Sequence, residues 1–120
     1  MAKILIVDDS AFTRNLIGRI VQGGGHEVVG KASDGTQALD LYRSLKPELV
    51  TLDYLMPDMS GEAVLGEILE SDPGAKIIMI SGSGDRNLGK RAIEKGALSY
   101  MEKPDVQRDI LRVIDQVLES

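Results

Sequence analysis

Leu49-Val50-Thr51-Leu52-Asp53-Tyr54-Leu55-Met56-Pro57 is an apolar run that carries one carboxylate, Asp53, to its carboxyl end just before a proline stops regular structure. An apolar run of this length bounded by turn signals reads as a buried strand. In open parallel sheets, ligands bind beyond the carboxyl ends of such strands, so Asp53 stands where chemistry is expected. Two other runs end in the same way. Lys3-Ile4-Leu5-Ile6-Val7 leads to Asp8 and Asp9, and the short stretch Ala97 to Met101 leads to Lys103-Pro104. Asp8, Asp9, Asp53 and Lys103 are expected to form one site.

Between these strands the spacing turns helical. Phe12, Leu16, Ile17, Ile20 and Val21 form one stripe, capped by Asp9 or Ser10 and stopped at Gly23-Gly24-Gly25. A strand from Glu27 to Ala32 follows, then a helix on Ala38, Leu41, Tyr42 and Leu45 that ends at Lys46-Pro47. After the Asp53 strand come a helix on Val64, Leu65, Ile68 and Leu69, a strand from Lys76 to Ile80, and a small-residue loop, Ser81 to Gly84. A weaker stripe on Leu88, Ala92 and Ile93 stops at Gly96, a strand spans Leu98 to Met101, and a last helix starts near Val106. Strict alternation of five strands and five helices predicts an α/β fold, a doubly wound five-stranded parallel sheet with helices on both faces. The flavodoxin-like order 2-1-3-4-5, a three-layer sandwich, sets strands one and three side by side and brings Asp8, Asp9 and Asp53 together. Residues 1–120 are expected to be one domain.

Bulk properties narrow the function. The 120 residues are 42% hydrophobic, enough for one core, and the absence of cysteine removes disulfides and thiolate metal sites. Apolar runs of four or five residues are far short of the ~20 that cross a bilayer, so no membrane insertion is expected. Met1-Ala2-Lys3 runs straight into the first strand, so no secretory leader is expected and the cytoplasm is the expected compartment. A net charge of -5 opposes direct nucleic-acid binding, which needs a cationic surface.

Three carboxylates in one crevice repel one another and attract a cation. The single charge of Lys103 cannot neutralise them, so a divalent ion that prefers oxygen is the expected complement. Magnesium suits a site with few carboxylates, and the carboxylate-dense calcium loop is missing. A metal beside a carboxylate nucleophile and a lysine is the equipment of phosphoryl transfer, with Ser81 as hydroxyl donor to a phosphoryl oxygen.

At these residues the chain resembles the receiver domain of two-component response regulators, and is most similar to a stand-alone CheY-like regulator. The matching features are Asp8-Asp9, Asp53 followed by Met56-Pro57 and Gly61, Ser81-Gly82, Tyr100 and Lys103-Pro104. The strand order above is one known for this family, so the resemblance implies it as well. The resemblance implies that Asp53 accepts a phosphoryl group from a sensor histidine kinase or a small phosphodonor. It also implies that Asp9, Asp53 and the Leu55 backbone carbonyl bind Mg2+ directly, that Asp8 acts through water, and that Lys103 pairs with the phosphoryl group. Ser81 and Tyr100 match the family's switch pair, and Leu55 and Ser83 stand at positions that tune self-dephosphorylation. Catalysis is expected to be self-directed only, so the chain is not read as an enzyme. Asp105, after Lys103-Pro104, departs from the family's usual apolar or aromatic residue and bears on the packing of the loop before the last helix.

The output face is expected on the fourth helix, the fifth strand and the last helix, where Arg86, Lys90, Arg91, Lys95 and Tyr100 would meet an acidic, partly apolar effector, a chemotaxis or flagellar component. Plainer readings stand beside these. Taken alone, Asp8 and Asp9 read as helix caps, Ser81 as a turn residue, Tyr100 as a strand aromatic and the basic stretch as a solvated face. His26, the sole histidine, reads as a surface residue, and the methionines read as gap fillers. Three other functions share parts of this pattern: a phosphorelay intermediate, a flavodoxin-like carrier and a Mg-dependent phosphatase. The carrier would need more aromatic surface than one Phe and three Tyr supply, and the phosphatase would normally place a second acid where Leu55 stands.

Overall fold

The computed structural model describes residues 1–120. In chain order the elements are β1 (Lys3–Val7), α1 (Ala11–Gly23), β2 (Glu27–Ala32), α2 (Gly35–Leu45), β3 (Leu49–Asp53), α3 (Gly61–Ser71), β4 (Ile77–Ser81), α4 (Arg86–Glu94), β5 (Ser99–Glu102) and α5 (Lys103–Leu118). All strands pair in parallel in the order β2-β1-β3-β4-β5.

Period-two alternation along each strand divides the apolar side chains between two cores. Leu5 and Val7 of β1, Val50 and Leu52 of β3, and Ile77 and Met79 of β4 pack under α2, α3 and α4. Ile4 and Ile6, Leu49, and Ile78 and Ile80 point the other way, onto Ile17 and Val21 of α1 and Val106, Ile110, Val113 and Ile114 of α5. Each of these fully buried aliphatic side chains contributes about 1.5–3 kcal/mol, so the central strands hold much of the core's stabilisation. That is where the candidate site is mounted. Side-chain caps start four of the helices: Ser10 accepts from the Thr13 amide, Asp34 from Gln37, Ser60 from Ala63 and Asp85 from Asn87.

Several expectations are corrected. Phe12 has helical spacing but is 74% exposed, so the buried stripe of α1 begins at Ile17. His26 is not a surface residue: its side chain is 7% exposed, Nδ1 accepts the Ala2 amide at 3.1 Å, and Nε2 lies 3.8 Å from Asp115. The last helix begins at Lys103 rather than near Val106, and no loop separates it from β5. Pro104 sits in the first turn, where its missing N–H has no partner to lose. Asp105 is an acidic residue of that first turn and lies 3.4 Å from Arg108.

Candidate functional site

Strand register assembles the site. Val7 lies beside Leu52, so Asp8 and Asp53, one residue further along each strand, emerge at the same level. Asp53 pairs with Ile80 and Ser81 with Glu102, which brings Ser81 and Lys103 to the same edge. Ligand oxygens of Asp8, Asp9 and Asp53 lie within 4.8 Å of one another. Hard anionic oxygens at this spacing fit a divalent cation such as magnesium.

The three carboxylates are not equivalent. Asp8 is buried; its Oδ1 accepts the Ser10 amide at 2.9 Å, and its Oδ2 is 3.2 Å from Lys103 Nζ. Asp9 is exposed, and because Ser10 caps α1, its carboxylate is left for other work. Asp53 is buried, with Oδ2 3.6 Å from Lys103 Nζ. Burial and then the Asp8 carboxylate push the Asp53 carboxyl up to about 7, against the pull of Lys103. Burial of Lys103 acts to lower its own pKa, but attraction to Asp53 and Asp8 outweighs it and holds the ammonium above its usual range. One cation is thus shared between two carboxylates. The site remains under-neutralised, which is the electrostatic requirement for taking up a metal ion or an electrophilic phosphoryl group.

Around this centre, Ser81 is buried, and its hydroxyl donates to Ser83 Oγ at 3.0 Å while accepting the Ser83 amide at 3.1 Å. Leu55 is 63% exposed at the start of the β3–α3 loop. Tyr100 is half-buried against the core under α4, and its hydroxyl donates to Glu102 Oε1 at 3.1 Å. The ring lies on Gly89, where an added Cβ would come within 2.6 Å of it.

The basic stretch of α4 divides. Lys90 is exposed and makes no ion pair, whereas Arg91 Nη2 contacts Glu62 Oε2 at 2.7 Å and Lys95 Nζ lies 3.6 Å from Glu62 Oε1. Arg91 and Lys95, grouped with Lys90 on the expected output face, both pair with Glu62 of α3. Glu62 itself is buried beside Tyr54, whose hydroxyl is 3.4 Å from Oε2. The sequence reading missed Glu62. The available signal was Arg91 and Lys95 themselves, like charges four apart at the carboxyl end of α4, which repel unless an anion sits between them.

Comparison with known proteins agrees with this geometry. The response regulator receiver domain model matches residues 4–115. Chemotaxis protein CheY of Listeria monocytogenes is 40% identical over 116 residues, covering 97% of this chain and 98% of that one. Chemotaxis protein CheY of Thermotoga maritima is 38% identical over 115 residues, covering 96% of each. Among solved structures, the CheX-CheY-BeF3-Mg+2 complex from Borrelia burgdorferi aligns with a TM-score of 0.92 at 36% identity, covering 96% of this chain and 87% of that one. The chain belongs to the response regulator receiver domain family.

Proposed function

We propose that the chain is a single-domain phosphoacceptor, residues 1–120, which takes a phosphoryl group on Asp53 from a sensor histidine kinase and passes the signal to a separate effector by changing its surface. The observation that carries this reading is the cluster of three carboxylates at adjoining strand ends with Lys103 bridging two of them. An Asp53 oxygen attacks phosphorus in line with the leaving imidazole of a phosphohistidine. The P–N bond breaks and an acyl phosphate forms. Asp9, Asp53 and the Leu55 carbonyl would hold Mg2+, with Asp8 behind a water; the ion supplies charge neutralisation for the phosphoryl oxygens. Lys103 pairs with the added charge. Ser81 must leave Ser83 to donate to a phosphoryl oxygen, and Tyr100 then turns into the space released.

The test is intact-mass measurement after incubation with acetyl phosphate, with Mg2+ and with a chelator, and assignment of the modified residue by peptide mapping. Addition of one phosphoryl group at Asp53, only with Mg2+, is the expected result. Modification elsewhere would remove the reading.

Signal lifetime depends on water reaching phosphorus opposite the Asp53 oxygen. Leu55 is apolar and cannot orient that water, and Ser83 is occupied in holding Ser81. Leu55→Asn is expected to speed hydrolysis several-fold, a barrier lower by roughly 1 kcal/mol, followed as phosphate release after donor removal. Decay as slow as the parent's would count against a gating role for Leu55.

For the effector, the similarity to chemotaxis proteins CheY supports a chemotaxis or motility partner in the cytoplasm, and no helix is long and apolar enough to cross a membrane. The docking face remains α4, β5 and α5, now centred on Lys90 and Tyr100, with Arg91 and Lys95 acting from the α3 flank. Reversing the charge at Lys90 is expected to weaken an acidic effector segment and flatten the salt dependence of its binding. Unchanged affinity and salt slope would move the face elsewhere.

A further inference from the structure

Residues 55–59, between the Asp53 strand and α3, make no backbone hydrogen bond. The ends of the loop are pinned, the Tyr54 amide to the Ile80 carbonyl at 2.9 Å and the Gly61 amide to the Tyr54 carbonyl at 2.6 Å. Between those pins, the only polar tether is Asp58. Its Oδ1 accepts the Gly35 amide at 2.8 Å, and its Oδ2 accepts the Thr36 amide at 3.0 Å and the Thr36 hydroxyl at 2.9 Å. Beside it, Met59 rests on Gly35, where an added Cβ would stand 2.8 Å from the thioether sulfur. One polar and one apolar side chain of the loop therefore dock on the same spot, the first turn of α2.

A helix cap alone does not account for this. Asp34 already caps α2 from within its own chain segment, accepting the Gln37 amide at 2.8 Å, whereas Asp58 reaches across from a neighbouring connection. The exposed end of the loop is Leu55, two residues after Asp53. Without Asp58, the backbone from Leu55 to Met59 would be held by methionine packing and its two ends. Methionine packs adaptably and fixes geometry poorly.

We propose that Asp58 is a positioning residue of the phosphoryl site: by docking the β3–α3 loop on the first turn of α2, it fixes the Leu55 backbone relative to Asp53 and thereby sets the affinity for magnesium. This rests on the phosphoacceptor reading above. Supporting groups that orient a metal's ligands commonly alter affinity as much as weak ligands do. The latch is ionised throughout the working range, because the Gly35 amide first, and then Thr36, hold the Asp58 carboxyl at about 2.

The experiment titrates Mg2+ into unphosphorylated protein, following backbone amide NMR shifts, for the parent, Asp58→Ala, Asp58→Asn and Asp34→Ala. Asp34→Ala is the control, since it removes a cap of the same helix without touching the loop. Asp58→Ala is expected to weaken Mg2+ by about tenfold, Asp58→Asn, which keeps one acceptor oxygen, to fall between, and Asp34→Ala to match the parent. Faster hydrogen exchange at the Gly35 and Thr36 amides in Asp58→Ala would accompany the loss. Equal shifts in Asp34→Ala and Asp58→Ala would make Asp58 an ordinary cap and overturn the proposal, as would unchanged Mg2+ affinity in Asp58→Ala. A parent protein that takes up no Mg2+ at all would instead remove the phosphoacceptor reading, and this proposal with it.

Discussion

Asp53→Asn is expected to accept no phosphoryl group from acetyl phosphate and, in metal-free buffer at pH 8, to be more stable than the parent. The first effect follows from losing the nucleophilic oxygen, since an amide does not form the acyl phosphate. The second follows from what surrounds the carboxylate. Burial and the Asp8 charge raise the Asp53 carboxyl from 3.8 to about 7 in the folded chain. Well below pH 3.8 the carboxyl is protonated in both states and costs nothing. Between pH 4 and 7 the unfolded chain releases the proton while the folded chain keeps it, so stability falls as pH rises, then levels off above 7. The accumulated cost is on the order of 2–4 kcal/mol. Denaturant unfolding with a chelator at pH 4, 6 and 8 should therefore show the gap between the two proteins opening with pH. Saturating Mg2+ should narrow it, because a cation that binds only the folded state stabilises that state. An Asn variant less stable than the parent at pH 8 without metal would show that the carboxylate carries no such strain.

On the phosphoacceptor reading, function and stability pull in opposite directions at one residue, and such a residue stands out in the chain. Asp8 and Asp53 each follow directly on an apolar run, and Lys103 stands just past the end of β5; a charge at the end of a buried strand is unexpected unless chemistry needs it. The alternation of strands and helices was equally visible, because β1, β3 and β4 are apolar on both faces, as strands covered by helices on both sides must be. Other features depend on distant residues that no local pattern records. Phe12 has helical spacing, but spacing says which residues share a face and not how much of that face a neighbour covers. Pro104 looks like a boundary between strand and helix, yet proline is at home in a first turn, so α5 starts three residues earlier than its apolar stripe. Glu62 reads locally as one more acidic residue near a helix start. Only the packing of α3 beside α4 makes it the shared anion for Arg91 and Lys95. That pairing matters for the proposed output face, because α4 buries only Gly89 and Ala92 fully and rests Leu88 on the core, and the partly exposed ion pairs to Glu62 add a polar link to α3.

Gly61→Ala is expected to destabilise the protein by about 3 kcal/mol and to disturb the site, although glycine is not needed there for its backbone angles. Its φ is not positive; among the glycines, positive values fall at Gly25, Gly84 and Gly96. Space is the constraint. A Cβ at residue 61 would run into the carbonyl oxygen of Asp53 and would lie 2.8 Å from Tyr54 Cα and 3.0 Å from the Asp53 carbonyl carbon. All three are backbone atoms, so no side-chain rotation relieves the clash. Either α3 must move away from the end of β3, stretching the 2.6 Å bond from the Gly61 amide to the Tyr54 carbonyl, or Asp53 itself must shift. Both routes disturb the end of β3 that carries Asp53, so the variant is also expected to bind Mg2+ more weakly. Gly66, further along α3, supplies the contrast: nothing lies within 4 Å of its added Cβ. There alanine only restricts the unfolded chain and favours the helix, so Gly66→Ala is expected to stabilise by about 0.5–1 kcal/mol. Denaturant unfolding of the two variants, two alanines on one helix, should move the midpoint in opposite directions. If Gly61→Ala matched the parent in both midpoint and Mg2+ affinity, α3 would not be pressed against the end of β3, and the placement of Asp53 would have to be set elsewhere in the fold.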